Sequence, residues 1–178
     1  MTEPVRVTPE FSRPLAAESV GTQSVERRIE AGPAERAALA GRFGLLALER
    51  LAARLSLRRD KGDVVRLEGH FLADVVQSCV VSLAPVPAHI EVDFETSYSA
   101  SAVEPAEADL DPLAEDAPEP IPEGRIDLGE AVAQQLAISL DPYPRAPGAS
   151  LEASESARAG DAAPKGPFAS LESLRKKP

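Results

Sequence analysis

The sequence predicts an α+β fold: an antiparallel β-sheet or meander packed by two helices, with a disordered acidic loop and a flexible C-terminal tail. Three observations lead there. Between residues 45 and 98, apolar and polar residues alternate with period two, interrupted by turn residues, as half-buried strands do. Two shorter stretches, after Gly32 and after Asp127, carry helix-start signals followed by apolar residues at helical spacing. The 17 prolines, with five Phe, two Tyr and no Trp, leave one modest aliphatic core of Leu, Val, Ile and Ala. A length of 178 residues fits a single domain with room for tails.

Taken in order, Glu10 to Leu15 predicts an edge strand, because Pro14 cannot donate to a central ladder. Thr22 to Ile29 alternates weakly and is a second strand candidate. Pro33 at the first helical position and Glu35 in the first turn start a helix. Ala38, Leu39, Arg42 and Phe43 share one side of it, and Gly44 is its stop. Residues 45–59 send opposed signals: the Leu, Ala, Arg and Glu content favours helix, but period two puts Leu51, Ala53, Leu55 and Leu57 on one face. Strand is preferred, because Asp60-Lys61-Gly62-Asp63 then reads as a hairpin turn into β-branched sequence. Val64 to Leu67, Phe71 to Leu83 and His89 to Tyr98 continue the meander, with Gly69 as a bulge candidate and Pro85 and Pro87 as a turn. Further on, Asp127 can cap a helix and Glu130 completes a capping-box pattern. Leu128, Val132, Leu136 and Leu140 form its core-facing stripe, ended by Pro142 and Pro144. The expected organisation is one domain over 1–145 with an acidic loop at 101–123, a tether at 146–166 and a short docking motif at 167–178.

Charge is unevenly divided. The chain carries a net charge of −10, yet residues 1–70 hold 12 Lys+Arg against 10 Asp+Glu, and residues 71–178 hold 7 against 19. A general nucleic-acid coat is therefore excluded, and any nucleic-acid contact must be local. Residues 104–123 contain eight acids, five prolines and no base, a composition that cannot offset chain entropy by burial. They read as a solvated linker, or as a lure for a basic partner. A single cysteine, Cys79, allows no intramolecular disulfide and fits a reducing, cytoplasmic setting. There is no secretory leader pattern and no run of about 18 apolar residues, so neither export nor membrane insertion is expected.

The chemical inventory points away from catalysis. His70 and His89 sit in strand-like sequence with no nominated partner, and Cys79 among valines reads as a buried, poorly reactive thiol. No phosphate-cradling glycine loop, metalloprotease helix or nucleophile elbow occurs. No catalytic residue, cofactor or small-molecule substrate is expected. The positive feature is Arg50, Arg54 and Arg58, joined by Arg59 and Lys61: four-residue spacing puts the first three on one face in either conformation. Such a stripe is either a solvated face paired with carboxylates such as Glu68, or a docking site for the phosphates of structured RNA. At the C-terminus, Phe168, Leu171 and Leu174 form an apolar edge followed by Arg175 and Lys176. This edge can fold back on its own domain or bind a partner.

Several short motifs, in order, carry a resemblance. Cys79-Val80-Val81-Ser82-Leu83-Ala84-Pro85-Val86 closes a strand; an acidic loop follows; Ile126-Asp127-Leu128 opens a helix ending Leu140-Asp141-Pro142-Tyr143-Pro144-Arg145; and the chain ends Pro167-Phe168-Ala169-Ser170-Leu171-Glu172-Ser173-Leu174-Arg175-Lys176. Together these resemble the bacterial YceD family, with wording nearest its alphaproteobacterial members. The resemblance implies a cytoplasmic, non-enzymatic factor for accumulation of 23S ribosomal RNA and large-subunit biogenesis. Its partner would be pre-ribosomal RNA or a large-subunit ribosomal protein, with a monomer expected. The alternative is a protein-only adaptor holding a basic client through the acidic loop and the Phe168, Leu171, Leu174 segment. Many relatives carry Cys-x-x-Cys where this chain has Cys79-Val80-Val81-Ser82. A serine hydroxyl is a poor zinc ligand, so no structural metal is expected.

Overall fold

The computed structural model describes residues 9–60, 62–102 and 117–150. The elements run β1 (Pro14–Ala16), β2 (Val25–Glu30), α1 (Pro33–Phe43), β3 (Ala47–Arg59), β4 (Val64–Ser78), β5 (Pro85–Ser99), β6 (Glu119–Pro120), β7 (Arg125–Asp127) and α2 (Leu128–Ser139). Among the described residues, the main sheet has five strands in the order β2-β3-β4-β5-β6, antiparallel except for the short parallel β5–β6 pair. A separate two-stranded ribbon pairs β1 with β7. The first predicted strand thus belongs to the ribbon, because Leu15 lies opposite Ile126 rather than against β2.

Period two wins over helix propensity in β3 because one face can be buried whole. Leu48, Leu51, Ala53, Leu55 and Leu57 are buried, as are Val65, Leu67, Phe71, Ala73 and Val75 of β4. Leu39 and Ala40 of α1 and Leu128, Val132, Ala133 and Leu136 of α2 close this core from one side. The opposite face is left to solvent. In α1 the buried edge is Leu39 and Ala40 with half-buried Phe43; Ala38 is exposed, and Arg42 turns outward to pair with Glu10 and Glu130. Gly44, at φ 65°, ends that helix in the left-handed region, where glycine carries no Cβ penalty.

Asp127 joins the ribbon to α2. Its Oδ1 accepts from the backbone N–H of Arg13, Gly129 and Glu130, and its Oδ2 accepts from Ser12 Oγ. The cap is as expected, but Glu130 does not complete a capping box, because its carboxylate is taken by Arg42. Gly129 has a steric role: a Cβ there would lie 2.1 Å from the Phe11 carbonyl oxygen.

Three expectations in the meander are corrected. Gly69 is not a bulge, since the register runs unbroken through Leu55, Gly69 and Phe94. It is a seat for an aromatic ring: a Cβ there would come within 2.3 Å of Phe94 Cε1 and 2.8 Å of Leu55 Cδ2. The irregularity falls instead between Leu48 and Arg50. Pro85 and Pro87 lie inside β5, opposite Ser78 and Val76, and the turn is Cys79 to Ala84. Proline is tolerated because β5 has no described neighbour on its outer side before Tyr98. Finally, the expected acidic loop at 101–123 is ordered at its end: Glu119–Pro120 joins the sheet beside Tyr98 and Ser99, and Ile121 N–H bonds the Ser99 carbonyl. Residues 103–116 lie outside the described residues.

Candidate nucleic-acid interface

The open face of the sheet is set by strand parity. With Leu51, Leu55 and Leu57 buried, Arg50, Arg54 and Arg58 must project from the other side, and all three are exposed. Register then fixes their neighbours. Arg54 lies between Arg28 of β2 and His70 of β4; Arg58 lies opposite Arg66; Arg50 lies opposite Asp74. The expected carboxylate partner, Glu68, reaches only Arg58, at 4.0 Å. Among the described residues, no carboxylate forms an ion pair with Arg28, Arg50 or Arg54. Arg66, by contrast, is held by Asp60 and Glu95.

Like charges directly opposite each other on one sheet face are destabilising, so the Arg28–Arg54 pair is a local cost of the fold. The small side chain of Ala52 sits between Arg50 and Arg54. It leaves a shallow recess of about 400 Å³, with Arg28, Arg50 and Arg54 around it and Leu72 and Ala52 in its lining. Guanidinium groups around such a recess match the geometry of phosphate oxygens. Glu26 and Glu30 border the same strand face and limit its net charge.

Arg59 does not join the stripe. Its parity points it to the core side, where its Nε donates to the Val20 carbonyl and its guanidinium to the Ala17 and Asp63 carbonyls. It ties the N-terminal segment to the sheet. Lys61 lies outside the described residues, as do Phe168, Leu171, Leu174, Arg175 and Lys176. The sequence reading missed Arg28, because only the β2–β3 register reveals that it faces Arg54.

Across the sheet the charge reverses. On the same open face β5 presents Glu91, Asp93 and Glu95, and it contains no Lys or Arg. His70 Nδ1 lies 2.9 Å from Asp93 Oδ1 and its Nε2 lies 3.4 Å from Glu91; His89 Nδ1 lies 2.6 Å from Asp74. Both histidines thus have carboxylate partners on the open face.

The Cys79 turn also differs from expectation. Cys79 is fully buried, yet its Sγ accepts N–H bonds from Ala146 at 3.3 Å and Ser82 at 3.4 Å. These bonds, led by that from Ala146, lower its pKa to about 6, so the thiol is in a polar nook rather than an apolar one. Ala146, the first residue of the expected tether, is anchored there. Val80 N–H bonds the Pro144 carbonyl and Gln77 Nε2 bonds the Asp141 carbonyl, lacing the turn to the exit of α2. Among the described residues, no group of three or more His, Cys, Asp and Glu is placed to hold a metal ion. No described helix is long and apolar enough to cross a membrane.

Fold and site define an α+β protein whose sheet offers one cationic and one anionic half to solvent. Residues 67–175 match the YceD family, described as the large ribosomal RNA subunit accumulation protein. That stretch is more than half of the chain, which belongs to this family and is thereby tied to ribosome biogenesis and 23S ribosomal RNA accumulation. No curated protein and no solved structure matches the chain. The matched stretch begins in β4. It includes the Cys79 turn, α2 and the Phe168 segment, but not Arg28, Arg50, Arg54 or Arg58.

Proposed function

We propose that this protein promotes accumulation of large-subunit ribosomal RNA by contacting pre-ribosomal RNA in the cytoplasm through Arg28, Arg50, Arg54 and Arg58. One observation carries the reading. The register sets Arg28 against Arg54, and no described carboxylate pairs with Arg28, Arg50 or Arg54, an arrangement that costs stability and that an RNA phosphate would relieve. The overall acidity confines binding to this face and suppresses indiscriminate RNA coating. The test is cosedimentation of the tagged protein with large-subunit precursors, alongside 23S levels in cells carrying Arg50→Glu, Arg54→Glu and Arg58→Glu together. The triple variant is expected to leave the precursor fractions and lower 23S while its circular dichroism stays native. Unchanged cosedimentation would exclude this face as the contact.

A second reading is favoured by where the family match falls, since it includes Phe168, Leu171 and Leu174 but not the arginine strand. There the protein is an adaptor without RNA contact, holding a basic large-subunit protein through its acidic loop and C-terminal segment. Salt separates the two. RNA contact through four arginine–phosphate pairs gives a log–log salt slope of about −3 to −4. Capture by the terminal segment is salt-tolerant and is lost with Phe168→Ala.

A further inference from the structure

Among the described residues, β5 is an open edge along most of its length. Only Tyr98 and Ser99 have a partner on the outer side, in β6. The direction of the main-chain groups follows from Ser99, whose carbonyl accepts from Ile121 on that outer side. In an antiparallel strand this orientation repeats every second residue, and the β4–β5 register has no shift. The N–H and C=O groups of His89, Glu91, Asp93, Glu95 and Ser97 therefore point outward, away from β4. Pro85 and Pro87 share that parity, which is why they break no ladder bond. They block one end of the edge and leave the rest available.

Two side-chain patterns mark what the edge fits. On the core side, Ala88, Ile90, Val92 and Phe94 stay half-buried, whereas their neighbours Phe71, Ala73 and Val75 on β4 are at most 1% exposed. The apolar layer thins out at β5. On the open face, Glu91, Asp93 and Glu95 are well exposed, with Asp93 at 89%, and β5 has no Lys or Arg to balance them. We infer that the β5 edge is a docking site for an extended basic peptide of a partner protein, added to the sheet as a further strand with apolar residues over Ile90, Val92 and Phe94 and basic residues beside Glu91, Asp93 and Glu95.

Charge decides between this occupant and the others. A second copy pairing antiparallel about Asp93 would set Asp93 against itself and Glu91 against Glu95, a row of like charges. The acidic residues 104–116 of the chain itself would meet the same repulsion, and so would RNA. The site is on the opposite half of the sheet from the arginines, so it stands or falls independently of RNA contact.

The full-length protein is titrated with a heptapeptide of alternating lysine and valine, and amide exchange of β5 is followed by NMR. The peptide is expected to slow exchange at the outward amides of His89, Glu91, Asp93 and Glu95 at least tenfold, while a glutamate–valine heptapeptide does not. Asp93→Pro deletes one outward N–H, as Pro85 and Pro87 already do, and should weaken binding at least tenfold; Asp93→Asn isolates the loss of charge. If Asp93→Pro unfolds the domain, Glu91→Gln with Glu95→Gln serves instead and should lower both affinity and its salt dependence. Four outcomes overturn the inference: outward amides already protected in the free chain, which means its own residues occupy the edge; dimerisation through β5 on sedimentation; protection of those amides by an RNA oligonucleotide; or peptide binding that leaves them unprotected.

Discussion

Replacing Arg54 with Gln should make the protein more stable and weaken the proposed contact with RNA. Gln keeps much of the stem and removes the charge, so the change isolates the repulsion with Arg28 directly opposite. Two guanidinium groups about 6 Å apart in water repel by roughly 0.7 kcal/mol without salt, from Coulomb's law at a dielectric constant of about 80. A Debye length of about 8 Å at physiological ionic strength halves this to about 0.3 kcal/mol. Cross-strand pairs span about 0.2 to 1 kcal/mol, the same range. Arg54→Gln should thus raise stability by about 0.3–0.7 kcal/mol in low salt, or about 0.2 M in the urea midpoint. A cycle with Arg28→Gln should recover a repulsive coupling of that size, and about 1 M salt should abolish it. In the same variants the salt slope of RNA binding should shrink by about 1 for each arginine removed. A loss of stability above about 0.5 kcal/mol on Arg54→Gln, or a coupling that is attractive and indifferent to salt, would refute the reasoning. Either would mean that these arginines serve the fold.

Three further outcomes test the scaffold. Gly69→Ala should cost about 2–3 kcal/mol in urea unfolding, because its Cβ meets both the Phe94 ring and buried Leu55; adding Phe94→Ala should return part of that loss, and an absent rescue would contradict the aromatic seat. Asp127→Ala removes the acceptor for the Arg13, Gly129 and Glu130 amides and should cost about 2–3 kcal/mol by thermal unfolding, with Asp127→Asn falling between it and the wild type. The Cys79 pKa, lowered to about 6 from an ordinary value of 9, makes its contribution full above pH 9 and lost as pH falls through about 6. The urea midpoint should accordingly rise across that window more in the wild type than in Cys79→Ser, and parallel profiles would show that the thiolate is not held by these amides.

Local patterning determined much of this protein by itself. The boundaries of α1, the strand character of residues 47–59, the Asp127 cap and the shared face of Arg50, Arg54 and Arg58 all follow from spacing. Each depends on neighbours within about four residues along the chain. Two misreadings share a cause: Gly69 looks like a bulge, and Pro85 and Pro87 look like a turn, until the strand beside each is known. Arg59 is different, because period two in its own strand already turns it away from Arg58, and only its carbonyl partners needed the fold. Phe94 fills the space over Gly69, an open edge accepts the prolines, and the Ala17 and Val20 carbonyls claim Arg59. The same holds for the two surfaces proposed to carry function. Arg28 meets Arg54 across residues 31–51, and among the described residues the acids of β5 lie on an open edge because β6 begins only at Glu119, beside Tyr98. Sequence fixes which way a side chain turns from its own strand; what it then meets is a contact between distant residues, decided by register and packing in the folded chain.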